Sequence, residues 1–556
     1  MNSILKEKKI VCKRVIRGLS LSVIFLMLSH SGIFAQDKEY DVVIYGGTSA
    51  GIASAIQISR MGKSVVIIEP NHRLGGLTTG GLGQTDIGNK NVIGGISREF
   101  YQRIQKYYDN QGHWRWEKKS DYRDGGQTRT LSGEDAMWTF EPSAAVEVFN
   151  GFIEEYKIEV INNERLDLKN GVKKQNNKIL AIRTESGKDF HGKMFIDATY
   201  EGDLMALAGV SYTFGREAAS EFGETLNGVQ TKMAIHHQFP DGIDPYVEAG
   251  NPESGLLPNI NNLSGPEGSG DKKIQAYCFR MCLTDVEENR IPFKKPDNYN
   301  EREYELFFRL LEKGNKGNFF IMSMMPNRKT DANNNGGFSS DYIGKNYGYP
   351  DGDYTQREKI IKEHKDYQLG LLWTLANHPR IPENIREMWQ KWGLPKDEFI
   401  ESGNWTPQLY IREARRMVSD YIMTQHHCVQ DSVSAELSIG MGAYTMDSHH
   451  VQRYVTQKGF VKNEGDVQVG GFRPYPIDYR SIIPKKEECT NLFVPVCLSA
   501  THIAFGSIRM EPVFMVLGQS AAVAAALAID KQCPIQEVPY SDLKKMLEEG
   551  KQVLNY

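Results

Sequence analysis

The sequence predicts an α/β fold, and three observations support that class. An apolar run, residues 41–45, ends in a turn of small residues, 46–51, and a helix of small and apolar residues follows at once. A second apolar run, residues 64–68, ends in Glu69. Residues 491–529 give one more buried strand, a loop and an alanine-rich helix. The first two runs have the layout of a Rossmann-like strand–turn–helix–strand unit.

The turn after the first strand has the residues that a dinucleotide site needs. Gly46 allows a tight turn, Gly51 lets the helix pack on the strand, and the helix N-terminus holds a pyrophosphate. Thr48 replaces the usual middle glycine, and its β-branched side chain restricts the approach of phosphates. Glu69 would accept hydrogen bonds from a ribose. The alternative is an unrelated buried β–α–β unit. The predicted binding residues here are Gly46, Gly47, Thr48, Ser49, Ala50, Gly51 and Glu69.

Length and charge narrow the class of protein. The chain has 556 residues, so we expect two domains or one large composite. Apolar residues make up 40% and charged residues 24%, which is ordinary for a soluble globular protein. The net charge of −4 provides no positive field, so we expect no nucleic-acid partner.

The first 36 residues have the pattern of a signal peptide. Lysines and arginines precede the short apolar run 19–28, and Ala35 offers a small residue for cleavage. A retained membrane anchor is the alternative, but the apolar run is short for a span. We therefore expect a secreted or periplasmic protein with no transmembrane anchor after cleavage.

The spacing of the cysteines and histidines indicates neither a redox motif nor a metal site. Six cysteines follow the leader, and their spacings match no zinc or redox pattern. We expect buried thiols, with a Cys278–Cys282 disulfide as the alternative. No metal site is predicted, because no histidine or carboxylate spacing suggests one.

A glycine-dense loop, residues 70–83, follows Glu69 and carries a family resemblance. Glutamate, a short gap and Gly-Gly form the second fingerprint of FAD-dependent oxidoreductases of the glutathione-reductase-like superfamily. Residues 41–83 and 94–100 together resemble the FAD-dependent oxidoreductase family of secreted bacterial proteins, which is related to fumarate-reductase-type flavoproteins. The resemblance implies FAD as cofactor, and it adds to the predicted cofactor-binding residues Pro70, Leu74, Gly75, Gly76 and Thr78.

The resemblance also orders the rest of the chain. Residues 179–190 read as a hairpin, which matches the antiparallel crossover of such FAD domains. The following strand and turn place Ala198, Thr199 and Gly202 beside the flavin nucleotide. We therefore expect a Rossmann-like three-layer FAD domain with an inserted α+β domain. The predicted ranges are 1–36 for the signal peptide, 37–215 for the first part of the FAD domain, 216–480 for the substrate or cap domain and 481–556 for the C-terminal part of the FAD domain.

The C-terminal strand, loop and helix close the flavin site in this superfamily. The resemblance places Met510, Glu511 and Met515 at the cofactor, in the loop 499–512 and the helix after it. The helix N-terminus then supplies positive potential to the flavin ring. The usual Gly-Asp after this strand is missing, so contacts to the ribityl chain must differ.

Four residues are the candidates for catalysis: His502, His449, Arg509 and Arg412. A neutral histidine accepts a proton during oxidation of an alcohol, and an arginine orients a polar group or donates a proton to an activated alkene. Residues 410–417 read as a helix that places Arg412 and Arg416 on one face. A surface salt bridge with Glu413 is the alternative for this pair.

The sequence supports one leading function and two alternatives. We expect an exported FAD-dependent oxidoreductase that transfers a hydride between flavin and a small polar substrate, with a carbohydrate favoured by the hydroxyl- and amide-rich cap. Its electron acceptor is not identified by the sequence. The alternatives are a redox-neutral, lyase-like enzyme acting on polysaccharide with a passive FAD, and a binding protein on an inactive FAD fold.

Overall fold

The computed structural model describes residues 38–126, 129–315 and 319–556. The predicted signal peptide therefore lies outside the described residues. The strands are β1 Glu39–Tyr45, β2 Val65–Glu69, β3 Glu159–Asn162, β4 Val172–Gln175, β5 Lys178–Arg183, β6 Asp189–Asp197, β7 Tyr212–Thr213, β8 Ile260–Asn261, β9 Met281–Thr284, β10 Arg290–Ile291, β11 Phe320–Met325, β12 Lys329–Asn334, β13 Leu394–Pro395, β14 Arg416–Met417, β15 Ser438–Gly442, β16 Met446–Ser448, β17 Gln452–Val455, β18 Val461–Glu464, β19 Val467–Val469, β20 Tyr475–Asp478 and β21 Leu492–Phe493. The helices are α1 Ser49–Arg60, α2 Gly76–Thr79, α3 Gly95–Asp109, α4 Pro142–Glu155, α5 Asp203–Leu207, α6 Ala219–Phe222, α7 Glu305–Glu312, α8 Tyr354–Asn377, α9 Glu383–Trp389, α10 Gln425–Val429, α11 His502–Ile508, α12 Glu511–Lys531 and α13 Tyr540–Glu549.

The central sheet confirms the predicted Rossmann-like core. Its strand order is β3-β2-β1-β6-β5-β4, and β21 also pairs with β6. The pairs β1–β2, β2–β3 and β21–β6 are parallel, as expected for strands joined by crossover helices. Strands β4, β5 and β6 form the antiparallel part that the hairpin predicted. The α/β fold class is therefore confirmed.

Both faces of the sheet are covered, which explains the continuous apolar runs in its strands. On β1, Val42 and Ile44 belong to one buried cluster, while Val43 and Tyr45 belong to another on the opposite face. Helices α1 and α12 pack on the first of these faces. Gly518 permits their close contact, since a Cβ there would lie 2.3 Å from the Ala50 carbonyl oxygen.

Helix α12 is the most apolar long helix of the fold. Among the described residues it alone is long and apolar enough to cross a bilayer, but 94% of its most apolar window is buried within the protein. A core helix of a soluble protein has the same properties. The alanine-rich sequence therefore serves close packing between α1 and the sheet.

The middle of the chain builds a second core around α7, α8 and α9. Its buried side chains are mostly aromatic or leucine, and Phe307, Tyr367 and Leu372 are examples. The chain from Tyr40 to Tyr556 forms one compact unit. The domain limits at 215/216 and 480/481 stay a prediction.

Two local predictions were wrong. Residues 410–417 are not helical: Tyr410 bridges to Cys278, and Arg416–Met417 form β14, which pairs with β7. Buried partners and strand pairing override the helical pattern there. Within the predicted loop 499–512, residues His502–Ile508 form α11, because Thr501 caps that helix by accepting a hydrogen bond from the Ala504 N–H at 3.4 Å.

Candidate active site

The turn between β1 and α1 is held by backbone contacts that tolerate only small residues. Gly46 has a φ of +98°, which favours glycine. A Cβ at Gly51 would lie 2.0 Å from the Gly46 carbonyl oxygen. The Thr48 hydroxyl accepts a hydrogen bond from the Gly51 N–H and donates one to the Ala198 carbonyl at 2.7 Å. Thr48 therefore caps α1 and ties the turn to the end of β6.

Glu69 lies at the end of β2, directly beside this turn. It is only 5% exposed, and its carboxylate accepts hydrogen bonds from the N–H groups of Gly47 and Asn71, both at 2.7 Å. Burial raises the pKa of Glu69 to about 7 against the opposing effect of these two donors. The carboxylate is thus fixed in the position from which a ribose would be bound.

A cavity of about 410 Å³ opens beside Glu69, and we call it the nucleotide cavity. Its walls include Gly46, Thr48, Pro70, Gly76 and Thr199, which come from three segments of the predicted cofactor site. Gly202 has a left-handed backbone conformation and is the N-cap residue of α5. The structure thus brings these sequence-predicted residues to one place.

The glycine-dense loop packs against the turn and against the start of α12. The Gly75 N–H donates to the Gly47 carbonyl at 2.7 Å. Glu511 accepts hydrogen bonds from the hydroxyls of Ser49 and Thr78, at 2.5 and 2.8 Å, and from Tyr200 at 2.7 Å. Burial raises the pKa of Glu511. The remaining predicted residues Ala50, Met510 and Met515 are buried in the adjoining core, and Leu74 packs against it.

A second group of side chains, which we call the polar cluster, contains three of the four catalytic candidates. It consists of Asp341, Tyr410, Arg412, Asp447, His449 and Arg509. His449 Nδ1 lies 2.8 Å from Asp341, and its Nε2 lies 3.6 Å from Asp447. Asp341 also pairs with Arg412 at 3.0 Å. The cluster is therefore a chain of alternating charges.

Arg509 is the cationic end of the polar cluster. Its guanidinium donates to the Tyr410 hydroxyl at 2.6 Å and to the Asp447 carbonyl at 2.9 Å, and it pairs with the Asp447 carboxylate at 3.3 Å. The Asp447 side chain is 18% exposed, so the cluster is open to a ligand at this carboxylate. Arg509 and His449 thus flank one accessible anion.

The electrostatics of the cluster favour its charged forms. Burial opposes ionisation of Asp341 and Asp447, but Arg412 and His449 outweigh it at Asp341, and His449 and Arg509 do so at Asp447. The pKa of Asp341 is therefore well below its usual range, and that of Asp447 falls to about 2. Burial and Arg412 oppose protonation of His449, but the two carboxylates prevail and raise its pKa.

His502, the fourth catalytic candidate, lies in a separate buried network. It is 2% exposed, with Nδ1 at 2.9 Å from the Glu413 carboxylate and Nε2 at 2.9 Å from the Ser448 hydroxyl. Arg416 also pairs with Glu413, at 3.0 Å. Both ring nitrogens of His502 are occupied, so its geometry fits a positioning role better than contact with substrate.

Sequence reasoning missed the carboxylates of the polar cluster. Asp447 could have been found, because it stands two residues before His449. Asp341 had no such signal, since it lies in a turn-rich stretch far from its partners. Asp86, whose side chain is partly exposed and pairs with Arg280 at 3.6 Å, was missed for the same reason.

The parallel sheet, the tight turn after β1 and the acidic end of β2 define the class of dinucleotide-binding α/β proteins. The chain belongs to the family described as FAD dependent oxidoreductase, whose model matches residues 41–547. The protein is therefore an FAD-dependent oxidoreductase, and FAD is its cofactor.

Individual relatives match only in part. The chain is 41% identical over 64 residues to a beta-cyclopiazonate dehydrogenase of Aspergillus oryzae, a segment that is 11% of this chain and 14% of that protein. Among solved structures, THI4 of Thermovibrio ammonificans is 16% identical, over 38% of this chain and 79% of that one, with a TM-score of 0.23. L-proline dehydrogenase from P. horikoshii is 16% identical, over 33% and 59%, with a TM-score of 0.23.

The residues around the nucleotide cavity fit the nucleotide half of FAD. A Cβ at Gly46, Gly47 or Gly51 would meet protein atoms at 2.8, 2.5 and 2.0 Å, so these glycines keep the turn as tight as a dinucleotide-binding turn requires. The N-terminus of α1 offers N–H groups to a diphosphate. The buried Glu69 carboxylate, which lines the cavity, is a polar group suited to the ribose of this cofactor.

Proposed function

We propose that the protein transfers a hydride between its flavin and a small polar substrate at the polar cluster, and that this substrate is a sugar or sugar derivative that is oxidised at a hydroxyl group. The Asp341–His449 pair is the observation that carries the proposal. Nδ1 of His449 is bonded to Asp341, while Nε2 of the same ring lies 3.6 Å from Asp447 and so makes no close hydrogen bond. Bound flavin supplies the hydride acceptor.

The pair has the geometry of an oriented general base. An Asp341 carboxylate at 2.8 Å from Nδ1 accepts the Nδ1–H of neutral His449 and so fixes the tautomer. The lone pair is then on Nε2, which is the nitrogen nearer to the accessible Asp447. A substrate hydroxyl bound there would give its proton to His449 as the hydride leaves its carbon.

The charges around this position favour a hydroxylated substrate. The partly exposed carboxylates of Asp447 and Asp86 accept hydrogen bonds from hydroxyl groups. Arg509 would stabilise negative charge that develops on the reacting oxygen. Carboxylates and a guanidinium side by side suit a polyol better than an apolar molecule.

Anaerobic reduction of the bound flavin tests the proposal. The purified yellow protein is mixed with a panel of sugars, sugar alcohols, organic acids and amines, and flavin absorbance is followed. We expect bleaching by one or more members of the sugar or polyol group. Bleaching by amines or organic acids alone, or by no compound while dithionite still reduces the flavin, contradicts the substrate assignment.

We also propose that the protein is exported to the periplasm or the medium. The pattern of residues 1–36 supports this. The six cysteines after the leader are free thiols, and five of them are buried, so few thiols are accessible for disulfide formation in an oxidising compartment. Mass spectrometry of the protein from fractionated cells checks it: a mature N-terminus near residue 36 in the exported fraction is expected, and an intact leader in the cytosol contradicts it.

A further inference from the structure

The nucleotide cavity has a second wall that does not come from the dinucleotide motifs. Helix α8, from the middle of the chain, lines it with Tyr354, Arg357, Ile361 and Lys365. Trp405, which also belongs to the middle of the chain, lines the same cavity. A nucleotide in this cavity would therefore touch the Rossmann-like core on one side and these residues on the other.

Helix α8 is fixed in position beside the first strand. The Tyr354 hydroxyl donates to the Leu166 carbonyl at 2.9 Å and lies 3.4 Å from the hydroxyl of Tyr45, the last residue of β1. Arg357 pairs with Asp203 through two hydrogen bonds, at 2.6 and 2.9 Å. These contacts hold the helix against the cavity, so its inward side chains are oriented before a ligand arrives.

Lys365 differs from the other cations on the cavity wall. Arg73 pairs with Glu401 at 2.5 Å, Arg165 with Glu185 at 3.2 Å and Arg357 with Asp203. Lys365 has no hydrogen bond or ion pair within the part of the chain that the structure describes. Its side chain is half-buried, and burial lowers the pKa of its ammonium group. A half-buried ammonium still contacts water, and a bound anion would pair with it through a charge-assisted hydrogen bond.

The Trp405 indole N–H is shielded from the cavity. The residue is 3% exposed, and its indole nitrogen is buried and has no hydrogen-bond acceptor among the described residues. A ligand in the cavity would therefore not reach this N–H group. The Lys365 ammonium is a donor, so its absent partner carries acceptors, as phosphate oxygens do.

We propose that Lys365 binds the adenosine-diphosphate half of FAD, and that α8 and Trp405 thereby cover the nucleotide from outside the dinucleotide motifs. The proposal rests on FAD as the cofactor and not on the proposed substrate. An ammonium–phosphate contact of this kind is a charge-assisted hydrogen bond, and its loss weakens binding about tenfold or more. The residues of this second wall then set how fast FAD leaves the protein.

The rate of FAD release from the holoenzyme tests the proposal. Release is followed by the rise of free-flavin fluorescence after dilution, at low and at high salt. We expect Lys365→Gln to release FAD about tenfold faster at low salt, with a smaller difference at high salt because ions screen the contact. Lys365→Arg should restore slow release.

The same helix offers a matched control. Lys359 is 76% exposed and does not line the cavity, so Lys359→Gln should release FAD at the wild-type rate. Lys365→Met, which keeps most of the length of the side chain and removes its charge, should release FAD about as fast as Lys365→Gln and serves if Lys365→Gln does not fold. Wild-type release in the folded variants overturns the proposal. Substrate is absent from the assay, so an error in the proposed reaction leaves this result intact.

Discussion

The turn at β1 and the polar cluster are built in different ways. The turn is held to the glycine-dense loop through backbone groups, as in the hydrogen bond from the Gly75 N–H to the Gly47 carbonyl. The polar cluster joins side chains from four distant segments through their charges, as in the Asp341–Arg412 pair. The turn therefore depends on residue size, and the cluster depends on which charges meet. Substitutions at the two places should fail in different ways.

Gly51→Ala should have the largest effect. The new Cβ meets the Gly46 carbonyl oxygen at 2.0 Å, so the turn must shift, at a cost of about 1–3 kcal/mol in the free energy of unfolding. Because the shifted turn no longer fits a diphosphate, we expect purified protein with little or no flavin. Flavin absorbance per protein and urea unfolding measure both effects.

Gly151→Ala is the control for this experiment. Gly151 lies in α4, and a Cβ there meets no atom within 4 Å. Alanine favours a helix interior by about 1 kcal/mol over glycine, so the variant should be slightly more stable and fully yellow. Wild-type flavin content in Gly51→Ala would show that the turn is not the dinucleotide site.

Asp341→Asn should leave flavin content unchanged and slow the reduction of flavin by substrate about 10²–10⁴-fold. The amide no longer fixes the Nδ1–H tautomer of His449 or raises its pKa. The pH profile should therefore also move to lower pH, which a loss of packing alone would not cause. Asp285→Asn, at a surface pair with Arg328, is the control. A pH profile that does not shift in Asp341→Asn would show that Asp341 does not set the pKa of the proposed base, His449.

The rate of flavin reduction should rise with pH. The pKa of His449 is raised above its usual 6.5. The fraction of neutral His449, the form that accepts a proton, therefore increases as pH rises through this raised pKa. Below this pKa the rate should change about tenfold per pH unit. The same group gives stability that is complete below pH 6.5 and is lost as pH rises through its folded pKa. Stopped-flow rates and urea unfolding across pH 5.5–9 check the two opposite trends, and a rate that falls over this range contradicts the assignment.

The smallest effect should come from Ser448→Ala. This change removes the hydroxyl 2.9 Å from Nε2 of His502 and should cost about 1 kcal/mol of unfolding free energy. The rate of flavin reduction should stay within about twofold, because His502 is buried in its own network. A much slower rate of flavin reduction would indicate that His502 acts on the substrate.

The same contrast explains how much the sequence could predict. The turn, the acidic end of β2, the hairpin of β5 and β6 and the small-residue helix α12 were predicted, because each is a pattern within a few residues. The polar cluster was predicted in part: His449, Arg412 and Arg509 were named as catalytic candidates, but Asp341 and Asp447 were not. The partners of Asp341 lie far away in the chain. The helix predicted for 410–417 failed for the same reason.

The central claim is that the Asp341–His449 pair accepts the substrate proton. It is tested most directly by anaerobic flavin reduction in His449→Gln and His450→Gln, with the sugar or polyol that bleaches the wild type. His450 is also buried, but its ring lies 3.0 Å from two backbone carbonyls and its pKa falls to about 3, mainly because of burial. We predict that His449→Gln binds FAD normally and reduces it at least 100-fold more slowly, while His450→Gln stays within a few-fold of wild type. Equal rates in His449→Gln and the wild type would contradict the account.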